Sequence, residues 1–198
     1  HSTDIPNVSI LPASINDAFI ASDWMDTCQD EDLAKYAPYD LLKIMIEKID
    51  SYYDVILIDT GPHLDAFLLN SLVAADILAV PCPPTQVDLK STLTFIERLP
   101  VLKEKIKNKG STVDIKDTVA FMTKFDKQQG SHLSSKNIMK KVIPNTLRSV
   151  IPQSVAFDKT ALTFDTVLTM QAKDFDGARS TIAAAKSAVF EFSDEFYD

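Results

Sequence analysis

The stretch DVILID, Asp54 to Asp59, constrains this chain more than any other: four apolar residues, Val55 to Ile58, run without a polar break and end on a carboxylate. A strand with one wet face alternates apolar and polar side chains. An unbroken apolar run predicts a strand covered on both faces, as in the interior of a parallel sheet. Parallel strands need crossovers, so helical patterns should lie between successive apolar runs.

The rest of the sequence supplies that order. Strands are predicted at Asn7–Ser14, Asp54–Asp59, Asp76–Cys82, Thr118–Phe125 and Thr146–Ile151. Helical spacing of apolar residues predicts helices at Tyr39–Tyr52, Leu64–Ala75, Val87–Gly110, Ser131–Ile143 and Gly177–Tyr197. In the first of these, Leu41, Leu42, Met45, Ile46 and Ile49 share a face, and Asp40 is placed to cap it. Pro100 should kink the long third helix and Gly110 should end it. The fold class is therefore α/β, a mostly parallel sheet with helices on both faces. At 198 residues, 45% hydrophobic and without repeats or linkers, the chain reads as one domain with a real core.

Charge and cysteines exclude several classes. A net charge of -8 argues against a nucleic-acid coat, although lysines cluster from Lys103 to Lys141 and acids crowd Asp23 to Asp54. Cys28 and Cys82 stand far apart with no C-x-x-C spacing, so reduced thiols are expected rather than a disulfide or a metal site. No apolar run reaches the roughly 20 residues of a membrane span, and no signal-peptide pattern opens the chain, which reads as soluble and intracellular. Neither His63 nor His132 has a partner at ligand spacing. Trp24 and the C-terminal phenylalanines read as packing residues.

Open parallel sheets bind ligands beyond the carboxyl ends of their strands, which is where Asp59 falls. The following Thr60, Gly61 and Pro62 supply a hydroxyl, a residue free in φ and a rigid turn. An apolar strand ending in Asp is the Walker B arrangement, in which the carboxylate holds Mg²⁺; the same Asp could equally cap a turn. The matching phosphate loop is missing from this sequence. Its four glycines, Gly61, Gly110, Gly130 and Gly177, are widely spaced, and none precedes Lys-Ser or Lys-Thr.

The block YYDVILIDTGPHLDAFLLNSLVAADILAVPCPPTQVDLKSTLTFIERLP, Tyr52 to Pro100, resembles the ParA family of partition ATPases, the deviant Walker-A group that includes MinD, and in particular the larger ParA proteins of low-copy plasmids. The resemblance covers nearly the whole chain and is most specific from Asp54 to Ser91. It implies a P-loop NTPase fold incomplete at its N-terminal end, with residues 1–198 forming the C-terminal part of a single nucleotide-binding domain.

By that resemblance Asp59 organises Mg²⁺, through water, and the attacking water molecule. Thr60, Gly61 and Pro62 form the switch loop that senses the γ-phosphate. Asp88 is a catalytic acidic residue facing the phosphate-loop lysine, although it could also cap its helix. Thr123, Lys124 and Asp126 contact base and ribose, Pro152 flanks the adenine, and Lys159 binds DNA without sequence preference. The implied protein binds ATP or ADP with Mg²⁺, forms a homodimer, binds non-specific DNA, and hydrolyses ATP slowly under stimulation by a ParB-type centromere-binding partner. It would work in the cytoplasm on the nucleoid, with no membrane attachment, while this chain alone would be inactive as an ATPase. Two alternatives stand beside it: a non-catalytic α/β module that binds DNA or a partner, and a MinD-like positioning ATPase. The acidic ending AVFEFSDEFYD counts against the second.

Overall fold

The computed structural model describes residues 3, 5–12, 37–61 and 64–197. They fall into two compact units, residues 1–76 with 101–115, and residues 77–100 with 116–198. Trp24, Cys28, Pro62, His63 and the acids from Asp23 to Asp32 lie outside the described residues.

In the first unit, α1 (Leu41–Glu47) is followed by a 3-10 turn (Asp50–Tyr52) and by α2 (Ala66–Ala74). Asp65 caps α2, its carboxylate accepting the Leu68 N–H at 2.9 Å. The expected Asp40 cap of α1 does not form: no side-chain bond joins it to the helix. The Leu42 N–H is satisfied instead from α2, by Asn70 Oδ1 at 3.2 Å. Asn70 is fully buried, and its Nδ2 donates to the carbonyls of Pro38 (3.3 Å) and Ala66 (3.0 Å). One buried amide thus ties α1 to α2, with both of its ends bonded as burial of a polar group requires.

The segment Asp54–Asp59 departs from expectation. It has no regular secondary structure, and Val55 and Leu57 are 51% and 82% exposed. A strand exists only where a neighbour completes its hydrogen bonds. Among the described residues no strand pairs with this run, so Val55 and Leu57 face solvent while Ile56 and Ile58 are half-buried. Of Asn7–Ser14, Ser9 makes a single bridge and no strand forms among the described residues; 13 and 14 lie outside them.

The second unit holds the sheet, made of β1 (Ile77–Cys82), β2 (Asp117–Phe125) and β3 (Thr146–Pro152), all parallel, in the order β1-β2-β3. Ile77 to Cys82 pair in register with Asp117 to Met122. The crossovers are α3 (Gln86–Lys107) and α4 (Gly130–Val142). They cover one face, where Val80, Cys82, Ala120 and Met122 pack with Leu89, Leu93 and Ile96 of α3 and Met139 of α4. Strand order advancing in one direction through right-handed crossovers puts both helices on the same side. The closing helix α6 (Arg179–Tyr197) lies on the other face, where Phe192 meets Phe121 with ring centroids 4.7 Å apart.

Helix α5 (Val155–Leu162), absent from the sequence reading, is capped by Ser154, whose side chain accepts the Ala156 N–H. With α6 it encloses a second core of Ala156, Val167, Met170, Phe175, Ile182 and Ala185. Helix α3 is continuous through Pro100, its residues from Val101 onward belonging to the first unit.

Candidate nucleotide site

The carboxyl ends of β1, β2 and β3 form one rim, the side of an open parallel sheet where ligands bind. Three segments meet solvent there: the turn from β1 into α3, the end of β2, and Pro152 at the end of β3.

The first segment is built around Thr85. Its hydroxyl donates to Asp88 Oδ2 at 2.6 Å and accepts the Asp88 N–H at 3.2 Å. Thr85 is therefore the N-cap, and Asp88 lies inside the first turn rather than at the cap position expected for it. A carboxylate in that turn is favoured by the positive end of the helix dipole. From behind, the buried Ser135 of α4 donates to the Pro84 carbonyl at 2.7 Å and fixes the turn against the sheet.

The second segment carries a bulge. Met122 pairs with Val150 and Phe125 with Pro152, so Thr123 and Lys124 together oppose the single residue Ile151. Lys124 takes the left-handed conformation, φ 50°, and is exposed. A non-glycine residue held there costs about 1 kcal/mol, and bulges of this kind re-aim side chains at strand ends. Beyond the bulge, the Asp126 N–H donates to His132 Nδ1 at 3.0 Å, which places the imidazole proton on Nε2. The Asp126 carboxylate accepts from the Gln128 N–H (2.9 Å) and Gln129 Nε2 (3.0 Å), and these bonds hold it below the usual carboxylate range. Asp126 is thus committed to the turn that opens α4.

The third segment closes the rim, with Pro152 opposite Phe125 and the Gln153 N–H on the Phe125 carbonyl at 3.1 Å. Asp88, Thr123, Lys124, Asp126 and Pro152 therefore gather at one edge of the second unit. Sequence reading missed the two residues that support them, His132 and Ser135. Their spacing with Met139 marks the buried face of α4, and that spacing was legible in the sequence.

Asp59, Thr60 and Gly61 belong to the first unit, where Asp59 and Gly61 are exposed; Pro62 lies outside the described residues. Lys159, on α5, is engaged: its ammonium is 3.0 Å from Asp176 Oδ2, also bonds the Asp176 carbonyl, and lies 5.9 Å from the Phe175 ring centroid.

The donor set distinguishes metal from phosphate. Among the described residues, no group of three or more His, Cys, Asp or Glu is arranged to hold a metal ion. A lone Asp59 carboxylate fits Mg²⁺, which is commonly held by one or two carboxylates together with nucleotide phosphates and water. The triphosphate itself does not fit, because this sequence has no glycine-rich loop to surround it.

A protein-family profile described as an AAA domain matches residues 1–115. Plasmid partition protein A of Escherichia coli is 35% identical over 195 residues, 98% of this chain and 49% of its own length. Protein SopA of Escherichia coli K12 is 32% identical over 126 residues, 64% of this chain and 31% of its own. A solved structure described as a partition protein superposes with a TM-score of 0.69 at 34% identity, covering 92% of this chain and 48% of that one. The ATP complex of Cyanothece McdA, 15% identical with a TM-score of 0.56, covers 85% and 62% and shares the fold. The chain spans about half the length of the curated relatives it matches most fully.

The parallel sheet with helices on both faces matches the α/β fold of ParA/MinD-type P-loop NTPases. Within that class the chain belongs to the ParA family.

Proposed function

We propose that the protein is an ATP–Mg²⁺-dependent partition switch. Nucleotide draws two copies together, the dimer binds DNA without sequence preference, and slow hydrolysis stimulated by a ParB-type partner resets it, on the nucleoid in the cytoplasm. The observation that carries this reading is the 35% identity to plasmid partition protein A over nearly the whole chain. Among the described residues no helix is long and apolar enough to cross a membrane.

In this reading Asp59 places the metal and the attacking water, and Thr60, Gly61 and Pro62 respond to the terminal phosphate. Asp88 faces the cation of a phosphate loop, and the rim of Thr123, Lys124, Asp126 and Pro152 receives the base and ribose. Bound Mg²⁺ would supply charge neutralisation, since phosphoryl transfer depends on positioning and electrostatics. Lys159 must leave Asp176 to reach a phosphate, and non-specific binding by lysines that neutralise DNA phosphates should weaken steeply with salt.

The test is ATP-dependent DNA binding by the full-length gene product and by its Asp59→Ala form. Binding that needs ATP and is lost in the variant supports the switch. Binding indifferent to both makes this a non-enzymatic module. The 198-residue chain by itself is expected to show no ATP turnover.

A further inference from the structure

The loop that enters α6 grips the cation of Lys159. Phe175 is buried in the second core with Ala156, Ile182 and Ala185, and the chain folds back over its ring, the Gly177 N–H donating to the Phe175 carbonyl at 2.9 Å. A Cβ on Gly177 would lie 2.7 Å from Phe175 Cε1, so a side chain there would have to displace a buried ring. Asp176 is therefore held between an anchored side chain and a tight turn. It takes Lys159 at two points: the ammonium bonds its carbonyl and lies 3.0 Å from its Oδ2. The same ammonium lies 5.9 Å from the Phe175 ring centroid. A lysine carries three N–H donors on a flexible stem, and left alone its charge turns outward to water. Here two contacts with one residue, made from a rigid loop, turn it inward, and its side chain is only 37% exposed.

We propose that Asp176 is an autoinhibitory clasp on Lys159, closed until ATP binds. The inference rests on the reading of Lys159 as a DNA-binding residue and adds what regulates it. A carboxylate and a DNA phosphate compete for the same ammonium, so Lys159 serves DNA only in the fraction of molecules whose clasp is open. Apparent affinity falls by that fraction, and whatever opens the clasp restores it. The Asp176 side chain is 96% exposed, so the ion pair is screened by water and holds the equilibrium by no more than about five-fold. A clasp of that strength restrains stray DNA binding and still yields to a nucleotide-driven rearrangement.

The experiment is anisotropy of a fluorescent DNA duplex titrated with the full-length gene product, with and without ATP. The variants are Asp176→Asn, Lys159→Ala, the two combined, and Asp174→Asn, which removes the same charge two residues away. Asp176→Asn should bind about two- to five-fold tighter than the parent without ATP and equally well with it. That gain should vanish in the combined variant and be absent from Asp174→Asn. A gain of the same size in both nucleotide states, in Asp174→Asn, or without Lys159 would be a general effect of charge and would overturn the clasp. No gain at all, with Lys159→Ala still lowering ATP-dependent binding, overturns the clasp and leaves Lys159 as a DNA contact. ATP-dependent binding that survives Lys159→Ala undiminished ends both the DNA reading of Lys159 and the clasp.

Discussion

Glu195, near the end of α6, accepts the backbone N–H groups of both Arg148 and Ser149 at 2.7 Å. Between the pairs Ala120–Thr146 and Met122–Val150, β3 spends three residues where β2 spends one, and that irregularity frees two adjacent donors. From the α4 side, Lys136 donates to the Arg148 carbonyl, so both faces hold the same irregular peptide. Burial, the largest single influence, would raise the Glu195 carboxyl, but the two backbone donors together with the Ser149 hydroxyl and the Arg148 charge hold it below its ordinary 4.5. A depressed carboxyl stabilises the fold fully above its unfolded value and loses that contribution as pH falls through the folded one. Glu195→Gln should therefore cost about 1 kcal/mol at pH 7, and the gap to the parent should narrow below about pH 4.5. Urea unfolding of both proteins at pH 7 and in acid checks it; a gap that does not change with pH would refute the linkage. Sequence could not show this role, because Glu195 looks like one acid of a solvated tail until β3 is seen to bulge beneath it. Asp126 follows the end of β2, and its engagement with Gln128 and Gln129 depends on a turn that only the fold defines.

At the scale of elements, what could be read was what is encoded locally. Helices α2, α3, α4 and α6 follow from their own apolar spacing, and Gly110 ends α3 as expected. The Gly110 N–H bonds the Lys107 carbonyl at 2.9 Å and the Ser111 N–H that of Ile106 at 3.3 Å, with a positive φ at Gly110. A Cβ added there would meet Ala37 Cβ at 3.6 Å, an ordinary contact, so only the backbone conformation penalises a side chain. Gly110→Ala should thus lower stability by about 1 kcal/mol, read from thermal melting; an unchanged melt would mean the turn can relax away from positive φ. Helix α5 was overlooked because eight residues give little periodicity, and its buried positions, Ala156 and Thr160, are small or polar. Strand Asp54–Asp59 was misread for the opposite reason. Its pattern is strong, but a strand's hydrogen bonds lie in other segments, so an apolar run states a capacity for pairing and not its fulfilment.

For the molecule as a whole, the α/β class and the helices on both faces were legible because crossover geometry leaves few alternatives. The candidate site was legible only in pieces: the rim of the second unit assembles five expected residues, whereas Asp59 to Gly61 stand in the first unit. The exposure of paired-strand surface has a physical consequence. Among the described residues β1 hydrogen-bonds to β2 alone, so its outer edge is unpaired, and Ile77 is 47% exposed beside the exposed Ala79 and Pro81. Pro81 has no N–H to offer and blunts one position of that edge, while the remaining positions keep their donors and acceptors. Val55 and Leu57 add further apolar area open to solvent. An edge of this kind recruits other strands, so the 198-residue chain should self-associate as its concentration rises, and Ile77→Lys should suppress that association by placing a charge at the edge. Sedimentation velocity over a wide concentration range decides the matter. A growing sedimentation coefficient in the parent that is absent in Ile77→Lys locates the association at β1; equal growth in both places it elsewhere. A concentration-independent monomer would show that this edge is protected.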